Sequence, residues 1–147
     1  MIRFRPPRMA MAFVSAAAVL HWLLSDRLPF RLSSQAGGCA LGVVGFSVMM
    51  RGWWLFKNAR VALSPRAETT QLVTHGIYRV TRNPMYLGLV LMMVGLAVSA
   101  GSVPFYAAAL AYFVVINWVF CRYEEAKLTA HFGNEYVEYS RRVRRWL

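Results

Sequence analysis

The chain has 147 residues, so a single domain over 1–147 is the expectation. Hydrophobic residues make up 58% and aromatic residues 14%, and the mean hydropathy is +0.40, which excludes an ordinary soluble domain. The formal net charge of +11 attracts anions, but whether that means nucleic acid depends on where the basic residues sit.

Residues 9–24 form the first charge-free run, interrupted only by His21 and small polar side chains. "RFRPPR" precedes it, as a signal peptide would require. "LHWLLSD" offers no small-x-small cleavage site, so the run reads as a retained anchor. Residues 32–50 form a second run, extended by the aromatic "GWWLF" to a span over 32–56. Residues 83–121 are 39 positions without Asp, Glu, Lys or Arg. A bilayer core of about 30 Å needs roughly 20 helical residues, so this run fits two spans. Their turn falls at "AGSVP", 100–104, where Gly and Pro break helices. The predicted spans are therefore 9–24, 32–56, 84–100 and 103–121, giving an all-α integral membrane fold of about four transmembrane helices.

Within the spans, Gly38 and Gly42 have small-xxx-small spacing, and Gly88 and Gly95 share a face. Tight helix packing explains them. The alternative at Gly88 is a groove admitting a lipid tail sideways from the bilayer. Met49, Met50, Met92 and Met93 read as packing, and Arg51 as a snorkelling residue beside interfacial tryptophans. Cys39 and Cys121 have neither disulfide nor metal-site spacing, and no metal is expected.

The 57–83 loop is rich in turn formers and too long for a plain connector. After the last span, 122–147 reads as a helical extension, a break near Gly133 and a basic amphipathic helix. That helix reads as a membrane-surface helix on anionic lipid, which is compatible with its covering a site. Four spans put the N-terminus, the loop and this tail on one side with 14 basic residues, against Arg27 and Arg31 on the other. By the positive-inside rule both termini are cytoplasmic. The charge needs no nucleic acid to explain it.

The densest chemistry is "THGIYRVTRNPMYLG", 74–88, set against the start of the third span. An antiparallel hairpin of spans three and four returns "RYEE", 122–125, to the same end of the molecule. Counting from the turn at 1.5 Å per residue puts the acidic pair roughly 9 Å beyond Tyr86. Paired acids among basic residues suggest a cationic ligand; the plainer alternative is that Glu124 and Glu125 pair with Arg122, Lys127 or Arg82.

"LVTHGIYRVTRNPMYLG", "EE" and "HFGNEYVEYSRRV", in that order, resemble the isoprenylcysteine carboxyl methyltransferase and phospholipid methyltransferase superfamily. The likeness covers about half the chain, from roughly Ala59 onward. Asn83 stands where the family consensus often has His, a form typical of short bacterial members, which implies a bacterial inner membrane. The resemblance implies S-adenosylmethionine as cofactor, held on the cytoplasmic side by segments 72–88 and 122–147. The residues it places there are Leu72, His75, Gly76, Ile77, Tyr78, Asn83, Pro84, Tyr86 and Leu87, with Glu124 and Glu125. Arg82, Arg122 and Glu125 form the implied catalytic set.

These residue types suit that ligand. Aromatic faces accommodate a sulfonium, a carboxylate takes an ammonium, and arginine or free N–H groups take a carboxylate. The implied partners are S-adenosylmethionine or S-adenosylhomocysteine, the lipid bilayer and a lipophilic methyl acceptor. A carboxylate acceptor needs no general base; an amine, thiol or phenol acceptor needs one, and Glu125 and His75 are the candidates. The competing expectations are an NADPH-dependent membrane reductase and a non-enzymatic membrane protein.

Overall fold

The computed structural model describes residues 6–24, 33–59 and 72–147. Arg3, Arg5, Arg27, Arg31 and the 60–71 part of the loop lie outside the described residues. Helix α1 spans Pro6–Leu24, α2 Gln35–Asn58, α3 Pro84–Ala100, α4 Val103–Val115, α5 Cys121–Phe132 and α6 Asn134–Arg142. A 3₁₀ turn, Gly76–Arg79, precedes α3, and no strand occurs among the described residues. A π turn, Ile116–Phe120, joins α4 to α5, so Val103–Phe132 runs as one helix of 30 residues.

The chain is an all-α integral membrane protein. Helix α1, helix α2 and the joined α4–α5 helix are each long and apolar enough to cross a membrane. Helix α3 has 17 residues, at the short end of the range of about 17–25 for a span. Local chemistry sets the ends. The Ser34 hydroxyl accepts the Gly37 N–H at 3.1 Å to cap α2, and α3 and α4 each carry Pro in the first turn. Between α3 and α4 the chain reverses at Gly101, whose φ of 60° favours glycine.

Helices α2 and α3 lie antiparallel in backbone contact. A Cβ on Gly38 would stand 2.5 Å from the Gly95 carbonyl oxygen, and one on Gly45 2.6 Å from that of Gly88. Gly52 receives Pro84 in the same way, so the α2 contact stripe is Gly38, Gly45 and Gly52, at seven-residue intervals. Gly42, four residues after Gly38, brings its backbone against Gly95, where a Cβ would stand 2.8 Å from the Gly42 nitrogen. The lateral groove at Gly88 is overturned: a Cβ there would meet the Gly45 oxygen at 2.5 Å and the Met49 Cβ at 2.6 Å. Helix α2 fills that space because two glycine faces pack more closely than either packs against lipid.

On its other side α3 packs against α4, and α1 packs against α4 rather than against its neighbour in sequence, α2. Ala10 and Ala17 of α1 are buried with Ala108, Ala109, Tyr112 and Ile116 in one core, where Phe13 meets the Tyr112 ring edge-on. The spatial order is α2–α3–α4–α1. At one end His21 hydrogen-bonds Ser102 at 2.8 Å, and at the other the α3 start meets α5.

The π turn has a visible purpose. Tyr112, Ile116, Phe120 and Glu124 follow one another at four-residue intervals, and the first three are buried. In an ideal α-helix each such step drifts about 40° around the axis. The wider π turn removes part of that drift and keeps Glu124 on the stripe that faces α3.

Candidate functional site

The site lies where α3 begins and the α4–α5 helix leaves the apolar layer. At a rise of about 1.5 Å per residue, a 30-residue helix outruns a hydrocarbon core of about 30 Å, so Glu124 and Glu125 project beyond it. Side chains lean toward a helix's N-terminus. On α3 that direction leads out of the layer, and on α5 it leads back in. Tyr86 and Glu124 therefore converge across the expected offset, and the Tyr86 hydroxyl donates to Glu124 Oε1.

Glu125 points to different partners. Arg145 grips it with two bonds, Nε to Oε1 at 2.8 Å and Nη2 to Oε2 at 2.5 Å. Arg82 Nη1 adds an ion pair to Oε1 at 3.3 Å. These side chains keep 15–25% of their exposure, so the pairs are largely withdrawn from water, and the two-pronged geometry makes the Arg145 contact strong. The hydrogen bonds to Glu125 hold the Arg145 guanidinium further above its ordinary range. Arg82 Nη1 also donates to the Tyr136 hydroxyl at 3.2 Å, while Arg82 Nε is buried with no hydrogen-bond partner.

The residues after α6 lie along the approach to α3. The Arg82 N–H donates to the Arg144 carbonyl at 3.0 Å, and the Thr81 hydroxyl to the Arg145 carbonyl at 2.9 Å. Asn83 Nδ2 reaches the same Arg145 oxygen at 3.4 Å. Helix α6 buries Tyr136 and Tyr139 against this segment, and the Tyr139 hydroxyl donates to the Tyr78 carbonyl at 2.7 Å. Its aromatic face therefore meets protein, as a helix covering the site would. Burial pushes the Tyr139 hydroxyl up to about 12, so it is a neutral donor.

The expected residues thus separate into groups. Arg82, Asn83, Tyr86, Glu124 and Glu125 come together, with Pro84 buried at the first turn of α3 against Gly52. Leu87 continues that turn, its N–H bonded to the Asn83 carbonyl at 2.9 Å. Tyr78 is buried at the junction, its hydroxyl 3.4 Å from the Gly52 carbonyl oxygen. Ile77 and Tyr78 pack with Val73 and Leu55 on the end of α2, and a Cβ on Gly76 would stand 2.6 Å from Leu55 Cδ1. Leu72 is half-buried beside Val73, and His75 is exposed at the head of the 3₁₀ turn. Arg122 stands apart, exposed, with its guanidinium 4.4 Å from the Trp118 ring centroid.

Sequence reasoning missed Thr81, Asn117, Tyr136 and Arg145 as individual members. Asn117 alone carried a signal, being an amide inside an apolar run. The pairing of an arginine-tyrosine segment with two acids across a membrane hairpin is the arrangement the motifs required. The phospholipid methyltransferase family model matches residues 33–135. The chain belongs to that family.

Protein-S-isoprenylcysteine O-methyltransferase B of Arabidopsis thaliana is 40% identical over 82 residues, 53% of this chain and 40% of that protein. The A form from the same plant is 41% identical over 76 residues, 49% of this chain and 36% of its own length. An uncharacterized protein of Haemophilus influenzae is 35% identical over 63 residues, 43% of this chain and the whole of that protein. The match to the plant enzymes thus spans well under two thirds of their length. No solved structure matches. The family model takes in the α2–α3 glycine contact, the "RNPMY" segment and both glutamates, but ends before Arg145.

Proposed function

We propose that this chain transfers the methyl group of S-adenosylmethionine to a lipophilic acceptor at the cytoplasmic membrane face. The observation that carries the reading is a split electrostatic site: Tyr86 with Glu124 on one side, and Arg82 with its partnerless buried Nε on the other. A donor with an ammonium, a carboxylate and a sulfonium fits that division. Glu124 would take the ammonium, Arg82 Nε the carboxylate, and the neighbouring tyrosine faces the sulfonium. A buried N–H without an acceptor is unfavourable, so an oxygen supplied by a ligand gains more there than at the surface. When bound, the cofactor supplies an electrophilic methyl group for in-line attack by the acceptor.

The chain's own work is then positioning and exclusion of water, which can remove about 7–11 kcal/mol of barrier. Glu125 has both oxygens engaged by Arg82 and Arg145, which suits it to hold arginines rather than to take a proton. An acceptor that is already anionic, such as a carboxylate, needs no base and suits this site best. The plant relatives are named for O-methylation of isoprenylcysteine, which is compatible with such an acceptor.

Calorimetry on the detergent-solubilised full chain tests the reading. S-adenosylhomocysteine is expected to bind and NADPH not to. Glu124→Gln should weaken S-adenosylhomocysteine by about 10- to 150-fold, the range for a lost charge-assisted hydrogen bond. Binding of NADPH with no response to S-adenosylhomocysteine would replace the transferase reading with a reductase.

A further inference from the structure

Asn117 is an amide within the charge-free run that ends at Cys121, inside the π turn that joins α4 to α5. Its Oδ1 accepts two hydrogen bonds from the chain's end, from Arg145 Nη1 at 3.0 Å and from Trp146 Nε1 at 3.0 Å. The Trp146 ring packs on Phe113, one turn deeper in the apolar layer, with centroids 5.2 Å apart. So the segment after α6 turns back from the polar surface and inserts an indole beside α4. The same Arg145 makes the two-pronged contact with Glu125 that also engages Arg82. A polar side chain at this depth is costly unless it has partners, and π turns recur where a helix must present a side chain out of its regular order.

We infer that Asn117 is a positioning residue: its amide oxygen latches the C-terminal tail and, through Arg145, fixes the Glu125–Arg82 pair. Asn117 itself touches no residue assigned to the ligand; it acts through the tail. The part concerning ligand affinity rests on the methyltransferase reading, and the part concerning the tail does not. Only the acceptor oxygen is used by both donors. An aspartate at 117 keeps that oxygen and a leucine of similar size removes it.

The test compares wild type, Asn117→Leu, Asn117→Asp and Trp146→Phe as full chains in detergent micelles, with two readouts. The first is the rate at which trypsin removes the last two or three residues, followed by intact-protein mass spectrometry. The second is S-adenosylhomocysteine affinity. Asn117→Leu should accelerate tail removal by about tenfold or more and weaken S-adenosylhomocysteine by a similar factor. Asn117→Asp should restore both to near wild type. Trp146→Phe keeps the ring against Phe113 and removes one donor, so a smaller acceleration, about three- to tenfold, is expected.

An unchanged trypsin rate in both Asn117→Leu and Trp146→Phe would overturn the latch. A released tail with unchanged S-adenosylhomocysteine affinity would overturn the positioning role. A wild type that binds no S-adenosylhomocysteine would sink the methyltransferase reading and the positioning role with it, while the trypsin rates would still decide the latch.

Discussion

Adjacent glutamates on α5 have separate work. Glu124 faces α3 and takes the Tyr86 hydroxyl, whereas Glu125, about 100° further round the helix, meets Arg82 and Arg145. Their substitutions should therefore differ in kind. Tyr86→Phe keeps the ring but leaves Glu124 short of a donor, so S-adenosylhomocysteine affinity, measured by calorimetry, should fall by about 5- to 30-fold with little loss of thermal stability. Glu125→Gln should lower the melting temperature in detergent as well, because it leaves two arginines without their counter-charge. Removing one partner of a largely buried ion pair costs about 3–5 kcal/mol. Equal melting temperatures for the two variants would contradict this division.

Between helices, the glycine contact makes an uneven prediction along a single face. Gly45→Ala places a Cβ 2.6 Å from the Gly88 carbonyl oxygen, which is backbone and cannot swing aside, so α2 and α3 must separate. Overpacking of this kind costs about 1–3 kcal/mol. Gly42→Ala adds the same methyl with nothing within 4 Å. Thermal unfolding in detergent should show a clear loss for Gly45→Ala and none for Gly42→Ala. The Gly38–Gly42 spacing was legible in the sequence as a packing signal. Which of several glycines would touch was not, because that depends on the rotation of α2 about its axis, fixed by partner surfaces and not by local pattern.

For the molecule as a whole, sidedness joins the fold to the proposed chemistry. Lys57, Arg82, Arg122 and Arg145 all lie at the end of the bundle that carries the site. Lys57 stands over Trp53 and Arg122 over Trp118, each four residues apart, as interfacial anchors do. A phosphatase reporter active only outside the cytoplasm should be silent when fused at the C-terminus and active when inserted near Gly101. The opposite pattern would separate the site from a cytosolic methyl donor.

Length and hydropathy determined the all-α membrane class, the Gly and Pro breakers the turn at Gly101, and the hairpin of the last two spans that 74–88 and 122–125 would meet. Those features are set by short-range properties: a run of apolar residues, a residue tolerating positive φ, a hairpin of fixed rise. Tertiary structure alone decided that α1 lies on α4, that Glu124 and Glu125 take different partners, and that the tail returns to Asn117. Each of these joins positions far apart in the chain. Helix rotation and close packing choose among many chemically equivalent partners, and no local pattern carries that choice.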